Sequence, residues 1–200
     1  MDTFADDLAG VLDQLAIQRA VICGLSMGGY AAFALHRRYK NRIAGLVLAN
    51  TRAAADSPEG RQSRFEMASV VRKSGTEAIA ESMIARLLGV SSRSTKPEAT
   101  ERIRRSILRN NPEGVAQALL AMAGRPDSTE VLGQIDCPVL VIAGSEDEII
   151  KAGEMEKMAS LIRNAEFYRI ETAGHLSNIE QPDIFNRTMA GFLERVPPIP

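Results

Sequence analysis

The sequence is poor in several features on which whole classes of protein depend. Among its 200 residues there are two cysteines, two histidines and no tryptophan. No apolar run approaches the roughly 20 residues that span a bilayer. The acidic start, residues 1–7, lacks the apolar region of a secretory signal. We therefore expect a cytoplasmic protein without a membrane segment, whose thiols stay free in a reducing compartment.

An excess of charge of one sign is also missing. The chain has 24 basic and 25 acidic side chains, a formal net charge of −1, and no block of like charges. Nucleic acids and anionic membranes attract an excess of positive charge, so we expect neither as a partner. The arginine-rich stretch at residues 102–109 alternates with apolar residues and predicts a solvated helix face. No cluster has metal-ligand spacing, so we expect neither a metal nor a cofactor.

Apolar residues make up 45% of the chain and fall into short runs that alternate with helical patterns. The predicted strands are residues 19–24, 43–49, 138–144 and 166–170. The predicted helices around them are residues 3–15, 26–39, 152–162 and 182–193. This alternation predicts an α/β fold with a parallel sheet, because parallel strands need helical crossovers. Cys23 and Cys137 lie in or beside these runs, so we expect both thiols to be buried.

The middle of the chain has a different character. Between residues 52 and 129 no strand-like run occurs, and apolar residues recur at spacings of three and four. Breakers at Gly75, Pro97, Pro112 and Pro126 divide this stretch into about four helices. We predict a core formed by residues 1–51 and 130–196, with an all-helical cap at residues 52–129. The proline-rich end, residues 197–200, cannot extend a helix.

The sequence Gly-Leu-Ser-Met-Gly, residues 24–28, lies where the first predicted strand ends and a helix begins. A serine on so tight a turn has strained backbone angles, so its neighbours Gly24 and Gly28, with Gly29 besides, must lack bulk. The turn points the backbone amide of Met27 toward the space above the serine, and the helix adds its N-terminal dipole. We predict Ser26 as a nucleophile and the Met27 amide as an oxyanion donor.

A serine hydroxyl needs a base to take its proton. His36 lies in mid-helix beside basic residues, and we expect it at the surface. His175 follows the last predicted strand, at the carboxyl edge where parallel sheets place their chemistry. We therefore predict His175 as the base.

The base in turn needs a carboxylate that orients it. Asp147 follows the third apolar strand, between the competing neighbours Glu146 and Glu148. The spacing from the end of the strand favours Asp147, because the turn at Gly144 places that residue where the loop reverses direction. The resulting order along the chain is serine, acid, histidine.

On these residues the chain resembles the α/β-hydrolase family, whose nucleophile lies on a turn called the elbow, between an elbow strand and an elbow helix. Residues 24–28 correspond to that turn. Within the family the chain is similar to the branch with a helical cap after the strand that follows the elbow helix. The resemblance covers nearly the whole chain and rests on residues 24–29, 137–144 with Asp147, 173–175, 180–182 and 192–193. A shorter match, residues 48–51, is similar to 3-oxoadipate enol-lactonase-like and carboxylesterase-like hydrolases. The resemblance implies a Ser-His-Asp triad that works without a cofactor.

The chain departs from this family at its start. Family members have several strands before the helix that opens this sequence, and the loop among them supplies a second oxyanion amide. Either the sequence is a shortened version of a longer protein, or it is a naturally reduced one. In both cases we expect an open edge on the elbow strand, self-association or a partner segment at that edge, and weak or no activity.

The leading hypothesis is a serine hydrolase that cleaves a small ester or lactone through an acyl-enzyme. The alternatives are a non-catalytic module that retains the triad, and a perhydrolase, carbon–carbon hydrolase or acyl transferase of the same fold. Relatives with an aspartate nucleophile are disfavoured by Ser26 and by the lack of tryptophan. Dinucleotide binding is disfavoured because residues 24–29 lack its glycine spacing and Asn50 replaces the acidic residue.

The substrate is less well determined by the sequence. We expect the cap to line the pocket with Met67, Met83, Leu87 and Met122, although each is also an ordinary helix-core residue. Arg52, directly after the second strand, is either a surface residue or a contact for a substrate carboxylate.

Overall fold

A computed structural model describes residues 1–198, and its elements follow the predicted alternation closely. The strands are β1 (Ala20–Leu25), β2 (Ile43–Ala49), β3 (Val139–Gly144) and β4 (Ala165–Ile170). The helices are α1 (Asp2–Gln14), α2 (Met27–Tyr39), α3 (Pro58–Ser74), α4 (Glu77–Leu87), α5 (Val90–Thr95), α6 (Pro97–Leu108), α7 (Pro112–Ala123), α8 (Ala152–Ser160), α9 (Ser177–Glu180) and α10 (Pro182–Leu193). The expectation for residues 197–200 falls partly outside the described residues.

The four strands form one parallel sheet in the order β1-β2-β3-β4. Every residue of β2 and β3 is buried, because helices cover both faces of the sheet. The apolar faces of α1, α2 and α8 pack on one side, and α10 packs on the other through Phe185 and Phe192. The predicted parallel α/β architecture is confirmed.

Strand β1 differs from the sequence expectation of a buried strand. Within the described residues it pairs only with β2, and Gly24 is its single buried member. The Cys23 side chain is exposed and Cys137 is half-buried, so the prediction of two buried thiols is wrong. The apolar run predicted burial because its composition is that of a central strand. The order of strands in the sheet decides which strand lies at an edge, and here β1 does.

Five helices, α3 to α7, lie between β2 and β3, where the periodicity predicted four. The additional helix arises because the chain breaks at Leu88 and Gly89, which no proline marks. Gly75 ends α3 with φ of 77°, and Pro97 and Pro112 each begin a helix, as predicted. Helix α3 packs on α7 and α4 on α6. The division into a core and a cap at residues 52–129 stays a prediction.

The arginine-rich stretch lies on α6 and directly after it. Arg102, Arg105 and Arg109 are exposed as predicted, whereas Arg104 is half-buried and pairs with Glu81 and Glu101. No helix within residues 1–198 combines the length and the hydropathy required to cross a bilayer.

An ion-pair cluster joins the two ends of the helical segment. Asp56, before α3, accepts hydrogen bonds from Arg64 of α3 and from Arg125, which follows α7. The side chains of Asp56 and Arg125 are 9% and 3% exposed. The guanidinium of Arg125 also lies 4.0 Å from the ring centroid of Tyr30 on α2. The cluster therefore holds the entry and the exit of the segment against the elbow helix.

Candidate active site

Ser26 lies on the turn between β1 and α2, in a strained backbone conformation with φ of 53° and ψ of −112°. A non-glycine residue in such a region costs on the order of 1–3 kcal/mol. The surrounding backbone holds it there, because its N–H donates to the carbonyl of Ala49 at 2.9 Å. The hydroxyl of Thr51 in turn donates to the carbonyl of Ser26 at 2.8 Å.

The glycines around Ser26 differ in what they allow. A Cβ at Gly24 would lie 2.6 Å from the nitrogen of Gly29, and a Cβ at Gly29 would lie 2.6 Å from the Cβ of Thr51. At Gly28, by contrast, a Cβ would meet no described atom within 4 Å. The steric requirement therefore falls on Gly24 and Gly29, and the expectation that Gly28 must lack bulk is wrong. The motif alone does not distinguish these glycines, because the atoms that crowd Gly29 belong to Thr51, which is distant along the chain.

The structure brings Ser26, His175 and Asp147 together. The Nε2 of His175 lies 2.7 Å from the Oγ of Ser26, and its Nδ1 lies 2.8 Å from an oxygen of Asp147. The side chains of His175 and Asp147 are 2% and 0% exposed. Ser26 follows β1, Asp147 follows β3 and His175 follows β4, so the carboxyl edge of the sheet supplies all three.

Asp147 is held as a carboxylate by several donors. One of its oxygens accepts the backbone N–H groups of Ile149 and Ile150 at 2.8 and 3.0 Å. The other accepts from His175 and from the amide of Asn50, the latter at 2.9 Å. Burial raises the pKa of this carboxyl, but the hydrogen bonds outweigh burial and leave the pKa below its ordinary value. Within residues 1–198, the ring nitrogens of His175 bond to Asp147 and Ser26, and neither Glu146 nor Glu148 makes a hydrogen bond to that ring.

Sequence reasoning did not identify Asn50 as part of this site. Asn50 is fully buried at the end of β2, where its amide also donates to the carbonyl of Gly174 at 3.2 Å. Its own oxygen accepts the hydroxyl of Ser177 at 2.6 Å. The sequence did contain a signal for Asn50, which is a polar residue directly after a fully apolar strand. Such a position lies at the same edge of the sheet as the acid and the base.

Met27 is the first residue of α2 and lies beside Ser26 at the open space above the turn. The first amides of a helix have no partner within the helix. The role of the Met27 amide as an oxyanion donor stays a prediction.

Residues 1–182 match the family model of the α/β-hydrolase fold. The chain is also 30% identical to 3-oxoadipate enol-lactonase 2 of Acinetobacter baylyi over 195 residues, which cover 98% of this chain and 71% of that protein. The chain belongs to the α/β-hydrolase family.

Two solved structures support the assignment of this hydrolase. A thermophilic esterase from Thermogutta terrifontis is 47% identical with a TM-score of 0.94, over 96% of this chain and 71% of that one. The enol-lactonase of Burkholderia xenovorans is 32% identical with a TM-score of 0.87, over 96% and 72% of the two chains. The hydrolase therefore shares its fold with enzymes named as esterases and lactonases.

A cavity of about 410 Å³ opens above Ser26 and His175 in the hydrolase. Its walls include all four of the cap residues named from the sequence, which are Met67, Met83, Leu87 and Met122. The cavity also contains three arginines, Arg52, Arg64 and Arg86, and one acidic residue, Asp56. The wall is thus largely apolar with an excess of positive charge.

The three arginines differ in their partners. Arg52 donates to the carbonyl of Ile149 at 2.6 Å and lies 3.3 Å from Glu154, and Arg64 pairs with Asp56. Arg86 is exposed and makes no recorded ion pair within residues 1–198. Arg52 therefore lies at the cavity, as the interpretation of a substrate contact required. Its guanidinium is already bonded to the carbonyl of Ile149 and paired with Glu154.

His36 does not lie at the surface, and that prediction is wrong. It is 7% exposed and lies with Ile43 and Pro138 at the opposite edge of the sheet, where the strands begin. Burial lowers its pKa, and the charge of Lys40 lowers it further. The basic neighbours suggested exposure, but they face away on a helix whose other side packs on the sheet.

Proposed function

We propose that the hydrolase cleaves small esters or lactones with Ser26 as nucleophile, His175 as general base and Asp147 as the residue that orients His175. The observation that carries this proposal is the 2.7 Å separation of the Ser26 hydroxyl from Nε2 of a histidine whose Nδ1 is held by a buried carboxylate. A hydrogen-bonded nucleophile, base and orienting acid form the geometry that activates a serine.

The reaction then proceeds in two halves. Oγ of Ser26 attacks the acyl carbon while its proton passes to Nε2 of His175, and the Met27 N–H and the start of α2 stabilise the oxyanion. The intermediate collapses to an acyl-enzyme as the proton of His175 passes to the leaving alkoxide. Water, deprotonated by His175, hydrolyses the acyl-enzyme to a carboxylic acid. In a lactone the freed hydroxyl stays attached to the acyl group throughout, so the acyl-enzyme carries it and hydrolysis releases a single hydroxy acid.

Turnover by residues 1–198 is expected to be low. Met27 supplies the one oxyanion amide that we identify among these residues, and loss of one such donor costs about 10²–10³ in turnover. A non-catalytic module that retains the triad is therefore the second candidate function. The cytoplasmic location and the self-association expected from the sequence also stay predictions.

We infer that the preferred substrates carry a carboxylate. The cavity volume of about 410 Å³ suits a small molecule, and its wall presents three arginines against one aspartate. Arg86 makes no ion pair within residues 1–198, so its charge is available to an anion. Two further observations fit this inference. The Thermogutta terrifontis esterase was solved with malate bound, and two of the relatives are named as enol-lactonases.

The substrate inference is tested by an Arg86→Gln variant assayed with a neutral ester and with the same ester bearing a terminal carboxylate. We expect KM for the anionic ester to rise about 10-fold, since one favourable charge pair is lost, while KM for the neutral ester stays unchanged. Equal changes for both esters would contradict the role of Arg86. An Arg93→Gln variant, on the exposed side of α5, is the matched control.

The catalytic proposal is tested by labelling with a fluorophosphonate probe, followed by peptide mapping. We expect the label on Ser26, and none in Ser26→Ala or His175→Ala. Ser63→Ala is the matched control, because Ser63 lines the same cavity and should not matter. A folded parent chain that takes up no label would instead favour the non-catalytic module.

Analysis of products from a turned-over ester, with and without peroxide or an alcohol acceptor, separates hydrolysis from perhydrolysis and acyl transfer.

A further inference from the structure

The junction between α4 and α5, residues 87–91, is tied directly to the loops that carry His175 and Asp147. The carbonyl of Leu87 accepts the N–H of Leu176 at 3.2 Å. On the acid loop, Glu146 accepts the Ser91 N–H at 2.9 Å and also the Ser91 hydroxyl. We refer to residues 87–91 as the cap junction.

Backbone contacts at this place are unusually close. A Cβ on Gly174 would lie 2.9 Å from the Cα of Gly89, and a Cβ on Gly144 would lie 2.9 Å from the carbonyl carbon of Ala173. Three glycines thus allow the end of β3, the histidine loop and the cap junction to stack on one another. A shift of the junction therefore moves the residue that directly precedes His175.

The carboxylate of Glu180 bridges two of these segments. It is fully buried, one oxygen accepts the Gly174 N–H at 2.9 Å and the other accepts the Gly89 N–H at 2.8 Å. The ammonium of Lys96 donates to the backbone carbonyl of the same residue. Both oxygens of Glu180 are therefore occupied by backbone amides, one from the histidine loop and one from the cap junction.

Apolar packing reinforces the same contact. Leu176, which directly precedes the short helix α9, and Ile179, within it, pack against Ile84, Leu88 and Ile103 of the helical segment. The loop after β4 is thus sandwiched between the sheet edge and the cap, and Glu180 is the polar bridge within that layer.

We propose that Glu180 is a positioning residue for the reaction, which fixes His175 by joining the Gly174 amide to the cap junction. This inference rests on the proposed function, since it concerns the base of that reaction. Glu180 does not contact Ser26, and its effect passes through the backbone of Gly174. Because misplacement of a reacting group by about 1 Å can cost about 10²-fold in rate, a bridge of this kind affects chemistry more than binding.

The test is a Glu180→Gln variant. A side-chain amide has one oxygen, so it accepts one of the two N–H groups and turns its own NH₂ toward the other. We expect the rate constant of fluorophosphonate labelling and kcat to fall about 10- to 100-fold, with KM changed by less than about twofold. Hydrogen exchange at the amides of Gly89 and Gly174 should become at least about 10-fold faster, because one or both lose their acceptor.

Glu171→Gln is the matched control, since it removes a carboxylate from the exposed end of the same loop. It should leave labelling, kcat and both exchange rates at the parental values. Circular dichroism and thermal unfolding confirm that the compared samples are folded. Should Glu180→Gln not fold, Glu180→Asp replaces it, because its shorter carboxylate reaches only one of the two amides.

The two proposals fail in different ways. A parent chain that takes up no label counts against the proposed function, while the exchange rates of Gly89 and Gly174 still decide whether Glu180 holds the junction. A folded Glu180 variant that is labelled at the parental rate overturns the positioning role. Unchanged exchange at both amides overturns it as well. A rise in KM with constant kcat would show a role in binding instead, and would equally contradict it.

Discussion

Asn50 holds a backbone conformation that few residues other than glycine adopt, with φ of 45°. Its side chain links Asp147, the carbonyl of Gly174 and the hydroxyl of Ser177. One residue at the end of β2 therefore contacts both the acid and the loop of the base. Asn is well suited to this position because it tolerates positive φ and offers both a donor and an acceptor.

The amide of Asn50 and its backbone conformation are separable by substitution. Asn50→Gly removes the amide without backbone strain, whereas Asn50→Ala removes it and places a Cβ at positive φ. We expect kcat to fall about 10- to 100-fold in both, since Asp147 loses an orienting donor. Asn50→Ala should be less stable than Asn50→Gly by about 1 kcal/mol.

Ester hydrolysis and urea unfolding measure the two effects of Asn50 separately. Ser177→Ala serves as the control, because it removes only the hydroxyl that orients the amide and should reduce kcat less. Equal stability of Asn50→Ala and Asn50→Gly would show that the conformation at this position is unstrained.

At the scale of elements, the turn from β1 to α2 depends on one contact with the segment after β2. Gly29→Ala would press its Cβ into Thr51, a buried β-branched residue with little freedom to move. We expect this variant to lose about 1–3 kcal/mol of unfolding free energy.

Gly28→Ala is the matched comparison, because the new Cβ meets no described atom. Its stability should equal or exceed that of the parent by up to about 1 kcal/mol, since alanine restricts the unfolded chain. Thermal and urea unfolding of the two variants provide the measurement. Comparable losses in both would refute the contact with Thr51 as the cause.

The ion pairs that join the ends of the helical segment make stability depend on pH. Burial raises the pKa of Asp56, but hydrogen bonds from Arg125 and Arg64 outweigh it and lower the pKa from 3.8 to about 2. A carboxyl whose pKa is lowered by folding stabilises the fold above its unfolded value, and this contribution is lost as pH falls toward the folded value. The contribution is roughly 2 kcal/mol at neutral pH.

Asp56→Asn should therefore be less stable than the parent above pH 4, and the difference should shrink as pH falls toward 2. The difference arises because the substitution leaves the buried Arg125 without its charged partner, as protonation of Asp56 does in the parent at low pH. Urea unfolding between about pH 2 and 7 is the measurement. Asp7→Asn, at an exposed position, should follow the parent throughout, and a pH-independent difference for Asp56→Asn would rule out the linkage.

At the scale of the whole molecule, the described sheet has an apolar strand at one edge. β1 pairs only with β2 within residues 1–198, and an unpaired edge strand is a template for pairing with another strand. The other edge, β4, carries polar residues at its exposed positions, as edge strands commonly do. The contrast between the two edges is the reason to expect association at β1.

Cys23 provides a reporter for this association, because its side chain is exposed on β1. We expect sedimentation to detect dimers or larger species, and the reaction of Cys23 with a thiol reagent to slow as protein concentration rises. Cys23→Lys should shift the chain toward monomers, since a charge on an edge strand opposes pairing. A monomer at all concentrations, with freely reactive Cys23, would contradict self-association.

Much of this fold was readable from local patterns. The positions of β2, β3 and α10, the helical segment between β2 and β3, and the edge of the sheet that carries Ser26, Asp147 and His175 all follow from periodicity and from the rule for parallel strands. These features are local in sequence or depend on one general rule, so the residues themselves specify them.

Tertiary structure decided the features that depend on which distant segments meet. Gly29 is required because Thr51 lies against it, Cys23 is exposed because β1 lies at an edge, and His36 is buried because its helix face packs on the sheet. The network through Asn50 and Glu180 joins residues up to 127 positions apart. By itself the sequence determined the elements and the reacting groups. Three-dimensional packing decided how these groups are held, because that depends on contacts between segments remote along the chain.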